Sequence, residues 1–146
     1  MVIKSYVGNI PNTHIRDFQR KKLYQAEEDC LFWNNLYILS TVEVTDLIQD
    51  ISKYFNIKTP IIATTGHELV YATQDLISIP YPTSKSLPYI CHEMSHVINY
   101  NDPDKADHHG ANFAKTYLQV VKEFIGEEDY IELEQAFDRR KVKYNV

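Results

Sequence analysis

Leu87-Pro88-Tyr89-Ile90-Cys91-His92-Glu93-Met94-Ser95-His96-Val97-Ile98-Asn99 is the stretch from which the rest of the chain can be read. Ser86 precedes it as an N-cap and Pro88 falls in the first turn, where its missing N–H has no helical partner to lose, so the spacing predicts a helix over 87–99. Ile90, Met94, Val97 and Ile98 form an apolar stripe that can anchor this helix in a core. His92 and His96 stand four apart, one turn above the other, so two imidazoles can grip one ion from a rigid base. Glu93 lies near enough to reach a water on that ion. Zinc lowers the pKa of such a water towards ~7, and a carboxylate can then take its proton as it attacks a carbonyl. The H-E-x-x-H pattern therefore nominates His92 and His96 as metal ligands, Zn2+ as the cofactor and Glu93 as general base of a hydrolase.

Upstream, Asn12 and Thr13 offer N-caps for a helix running to about Glu28, while Cys30 to Leu39 is apolar and aromatic without an assignable period. Ser40-Thr41-Val42-Glu43 reads as a capping box, and Val44, Leu47, Ile48, Ile51 and Phe55 behind it recur at helical spacing. The period then changes. Ile61 to Thr65, Leu69 to Thr73 and Leu76 to Ile79 are β-rich segments with turn residues between them, which predicts a small antiparallel sheet and an α+β chain. His67-Glu68-Leu69-Val70-Tyr71 begins like the metal motif but ends in Tyr71, and it reads as part of a hairpin around a Gly66-His67 turn. After a loop from Tyr100 to about Ala106, helices are predicted over about 107–125, ended by Gly126, and about 128–139.

A catalytic zinc site usually takes three protein ligands and leaves a fourth position for water. Asp102, His108 and His109 are the candidates for the third. A metzincin spacing would place Gly at position 99 and His at 102, where this chain has Asn99 and Asp102. With a helix from Asp107, the buried arc is Phe113, Tyr117, Val120, Val121 and Phe124; His109 lies on its edge, and His108 falls among Asn112, Lys115, Gln119 and Lys122. That wheel favours His109 and sends His108 to solvent. Tyr100, His108 and Tyr117 are candidates to stabilise an oxyanion.

The 146 residues fit one domain over 1–146, without a repeat or a Gly/Ser linker to divide them. A net charge of −5 argues against broad capture of nucleic acid, which needs a basic face. Arg20-Lys21-Lys22 and Arg139-Arg140-Lys141 read as solvated helix faces. Cys30 and Cys91 are too few for a stapled scaffold or a four-cysteine zinc ribbon, and Cys91 is expected to pack as a small apolar residue. No run approaches bilayer length and the first residues lack a leader pattern, so the expected location is cytoplasmic, with no membrane partner.

His109-Gly110-Ala111-Asn112-Phe113 resembles the H-G-x-x-F element that follows H-E-x-x-H in SprT-like zinc metalloproteases. By that resemblance the third ligand is His109. More of the chain, through Arg16-Asp17-Phe18-Gln19-Arg20, Tyr24-Gln25-Ala26-Glu27 and H-G-x-x-F-x-x-x-Y ending at Tyr117, resembles a short uncharacterised metallohydrolase family of bacteria and their phages. The extra cysteines of the longer SprT-like proteins are missing, so their DNA-linked roles are not implied. The resemblance implies a minimal zincin-like fold: a supporting helix, a small sheet, the H-E-x-x-H helix and a following helix that brings the third ligand. In such folds a substrate peptide commonly lies along the sheet's edge strand, a place that would suit Leu76 to Ile79. The leading expectation is a zinc metallopeptidase acting on a peptide or protein. The alternatives are a non-enzymatic, zinc-stabilised binding protein, for example a phage protein engaging a host partner, and a zinc hydrolase of non-peptide amides.

Overall fold

A computed structural model describes residues 17–34, 38–65, 71–80 and 86–144. Helix α1 spans Arg20–Asp29 and the single turn α2 spans Leu31–Asn34. Gln19 is the N-cap of α1, its carbonyl accepting the Leu23 N–H at 2.9 Å, and Asp17 and Phe18 lie ahead of the helix, so it begins later than its sequence suggests; the expected caps at Asn12 and Thr13 lie outside the described residues. Helix α3, Thr41–Tyr54, opens on the expected capping box: Ser40 Oγ accepts from the Glu43 N–H at 3.1 Å and Glu43 accepts from the Ser40 N–H at 2.9 Å. Such a cap contributes about 1 kcal/mol. Val44, Ile48 and Ile51 bury the face that their spacing predicts.

Strands β1 (Ile61–Thr65), β2 (Tyr71–Ala72) and β3 (Leu76–Pro80) form one sheet in the order β1-β3-β2. It is not the antiparallel sheet expected. β3 pairs antiparallel with β2, but β1 pairs parallel with β3 over its full length, Ile61 opposite Leu76 to Thr65 opposite Pro80. Strand composition reports a half-buried pleated surface and carries no information on direction, which the chain path between strands decides. The same order corrects the placing of a substrate on Leu76 to Ile79. That strand is central, paired with β1 along its length on one side and with β2 at Ile77 and Ser78 on the other. The His67 turn and Glu68 lie outside the described residues.

Helix α4, Leu87–Tyr100, sits at the middle of the molecule, packed against α3, β2, β3 and α5. Ile90, Met94 and Val97 are buried as expected, and so is almost every other residue of the helix, His92, Glu93 and His96 included. A 3₁₀ turn at Pro103–Lys105 follows, then helices α5 (Ala111–Phe124) and α6 (Glu127–Arg140), with α6 laid against α1 and α5. The basic triplets of α1 and of the α6 end are exposed, and Arg140 reaches across to Asp29 with two hydrogen bonds of 2.8 and 2.9 Å. Cys30 and Cys91 are both free and buried; burial pushes the Cys30 thiol up to about 12 and Cys91 higher still, so both pack as small apolar groups. Among the described residues no helix is long and apolar enough to cross a membrane.

Candidate metal centre

α4 presents His92 and His96 with ring centroids 5.2 Å apart, as a four-residue helical step requires. The third imidazole arrives from the loop before α5. That helix begins at Ala111, four residues after the predicted start, so neither His108 nor His109 is helical and the wheel that sent His108 to solvent does not apply. His108 takes a left-handed backbone, φ 56°, and is only 7% exposed. Its Nδ1 lies 3.3 Å from the Tyr100 hydroxyl. His109 is buried and faces α4, its Nε2 3.1 Å from His96 Nε2. His92, His96 and His109 each offer a nitrogen within 4.8 Å of the others.

Asp102 is not part of this cluster. It is 45% exposed, faces Lys105 and caps the 3₁₀ turn by accepting the Asp104 N–H at 3.1 Å. The wheel for the body of α5 holds: Phe113, Tyr117, Val120 and Val121 are buried, and Lys115, Gln119 and Lys122 are exposed.

Two carboxylates stand behind the histidines. His92 Nδ1 lies 2.6 Å from Glu27 Oε2 and His109 Nδ1 lies 2.8 Å from Asp17 Oδ2. An ionised carboxylate only accepts, so each imidazole donates from Nδ1, and in the neutral ring Nε2 is then the nitrogen that offers a lone pair. Tyr117 donates its hydroxyl to the same Glu27 oxygen at 2.6 Å. The Tyr24 hydroxyl lies 3.3 Å from His109 Nε2. No spacing rule marks these groups, since Glu27 is 65 residues from His92 and Asp17 is 92 from His109. A signal did exist: Glu27 is the one charged residue on a face made of Leu23, Ala26 and Cys30, all buried.

The charges follow from this arrangement. Burial would depress His92, but the Glu27 charge and hydrogen bond outweigh it and raise its pKa. Burial dominates at the other two: His109 falls to about 4 in spite of Asp17, and His96, beside the imidazoles of His109, His92 and His108, falls well below the usual value. Asp17, which burial alone would raise, is held below the usual carboxylate range by His109. Burial raises Tyr24 and Tyr100, and the nearby Glu93 charge adds to both shifts, so these phenols stay protonated.

These residues fit a divalent ion. His92 Nε2 is buried with no hydrogen-bond partner among the described residues, a state that costs roughly 1–3 kcal/mol unless something accepts its lone pair. Three imidazoles converging in a buried place form a donor set suited to zinc among other transition metals. Of the expected oxyanion groups, Tyr117 is committed to Glu27 and Tyr100 to His108, its ring stacked 5.4 Å from that of His96. Tyr24, to which the sequence assigned no role, brings its hydroxyl within hydrogen-bond distance of a cluster nitrogen, His109 Nε2 at 3.3 Å. No family model, no curated protein and no solved structure matches this chain.

Proposed function

We propose that this protein is a zinc-dependent hydrolase, of the metallopeptidase kind, built on a minimal zincin-like arrangement. The observation that carries the reading is the convergence of His92, His96 and His109 within 4.8 Å beside Glu93 on the same helix. The H-E-x-x-H and H-G-x-x-F likeness to SprT-like proteases agrees with the same three ligands. Zinc held there would lower the pKa of a water and polarise a carbonyl. Glu93 takes the proton of the attacking water and passes it to the leaving amine. Tyr24, protonated and 3.3 Å from His109 Nε2, is the phenol best placed to donate to an oxygen that gains negative charge.

Deep burial of all three histidines also suits a second reading, a zinc-stabilised binding protein without activity. One experiment separates the two. The zinc-loaded chain and its Glu93→Gln variant, matched for zinc content, are incubated with a mixed peptide library, and new termini are counted by mass spectrometry. Cleavage by the wild type and a loss of ~10² or more in the variant is expected, because Glu93 moves protons and holds no metal. Equal cleavage by both proteins overturns the mechanism, and cleavage by neither favours the binding protein.

A further inference from the structure

We propose that Asp17 and Glu27 are positioning residues of the metal centre, fixing the imidazoles of His109 and His92 so that zinc affinity is set from the α1 segment. The inference rests on the metal-centre reading above and adds to it what holds the ligands in place.

Glu27 carries the argument. It is buried on the apolar face of α1, where Leu23, Ala26 and Cys30 fill the neighbouring positions, and packing alone would place another apolar side chain there. Its Oε1 has no hydrogen-bond partner among the described residues, so these leave part of the cost of burying the carboxylate without an offset. Its Oε2 is held from two sides, by His92 Nδ1 on α4 and by the Tyr117 hydroxyl on α5, each at 2.6 Å. Asp17 repeats the pattern for His109 at 2.8 Å, ten residues earlier on the same segment, and its other oxygen is likewise buried without a partner among the described residues. A carboxylate on one imidazole nitrogen fixes the tautomer, turns the ring and makes the opposite nitrogen a better ligand. His96 provides the contrast. Its Nδ1 has no hydrogen-bond partner among the described residues, and its ring stacks 4.2 Å from Phe113.

The test measures zinc alone against a chromophoric chelator, on the full chain stripped of metal. Glu27→Gln and Asp17→Asn keep size and remove charge, and each should weaken zinc binding by about 10- to 100-fold. Asp29→Asn is the control: Asp29 lies on the same helix and holds Arg140 but touches no histidine, so its loss should loosen α1 on α6 and leave zinc affinity unchanged. Nitrogen NMR of the stripped wild type should show His92 and His109 protonated on Nδ1, and each variant should release that tautomer at its own histidine only. If Glu27→Gln does not fold, Asp17→Asn, at a position 20% exposed, still decides. Zinc affinities within about twofold of wild type for the variants, or an equal loss in Asp29→Asn, overturn the positioning role while leaving the metal centre intact. A wild-type chain that takes up no zinc overturns both.

Discussion

At the scale of single residues, one backbone torsion decides how the two adjacent histidines divide their work. His108 at φ 56° turns the chain, which sends its own ring to Tyr100 and the next ring into the metal cluster. A left-handed non-glycine residue costs about 1–2 kcal/mol, so the surrounding contacts must hold it. His109→Ala is therefore expected to weaken zinc binding severely, by removing one of the three proposed ligands. His108→Ala should lower thermal stability by about 1–3 kcal/mol through the lost buried contact, with a smaller effect on zinc. Asp102→Ala should leave zinc in place, because that carboxylate is exposed and engaged in its own turn. Chelator competition and thermal melts on the three variants check this. A collapse of zinc affinity in Asp102→Ala, with His109→Ala unaffected, would move the third ligand to the loop.

At the scale of elements, the start of α5 is what delivers His109. Asp107 reaches past the loop and accepts the N–H groups of Asn112 at 2.8 Å and Phe113 at 3.1 Å, satisfying two of the donors that a helix start leaves open. Gly110 makes room for it: a Cβ at that position would stand 2.6 Å from Asp107 Oδ2. The glycine of the H-G pair is thus explained by a close approach of side chain to backbone. Gly110→Ala should displace the Asp107 carboxylate and destabilise the protein by about 1–2 kcal/mol, the range of a lost cap. In Asp107→Ala the same glycine substitution should add little, since its clash has gone, and denaturant unfolding of the two single variants and the double measures that coupling. Simple additivity would show that Gly110 acts in some other way.

At the scale of the whole molecule, α4 and the loop before α5 bring the three histidines together, and Asp17 and Glu27 back two of them from α1 and the residues just before it, so an ion there would tie distant parts of the chain together. A ligand that binds only the native state at about 1,000 times its Kd adds about 4 kcal/mol, so chelation should lower the melting temperature measurably. Acid should act on the metal-free protein too. Burial holds His109 at about 4 and His96 well down, so both stay neutral in the native state while the unfolded chain, with histidines near ~6.5, takes up protons. Their contribution is complete above about pH 6.5 and is lost as the pH falls towards 4. His92, raised by Glu27 against the pull of burial, acts in the opposite sense, its contribution being present at low pH and fading as pH rises through its native pKa. Two depressed histidines against one raised predict a net loss of stability on acidification. Melting curves of stripped protein between pH 7 and about 4 test it, and a curve that is flat or rises towards acid would contradict these charge states.

The sequence by itself determined the helices α3 to α6 to within a few residues, the apolar faces that they bury and the pairing of His92 with His96. Caps, helical stripes and a four-residue step are set by neighbours within a turn or two, and such neighbours are visible in any linear text. The tertiary structure alone decided the parallel run of β1 beside β3, the burial of His108 and the meeting of Asp17 and Glu27 with histidines 92 and 65 residues away. Each depends on the path of the chain through space. Strand composition is silent about direction, a helical wheel misleads when the helix starts four residues late, and a carboxylate buried in an apolar face shows its purpose only when the partner that justifies its burial arrives from another element.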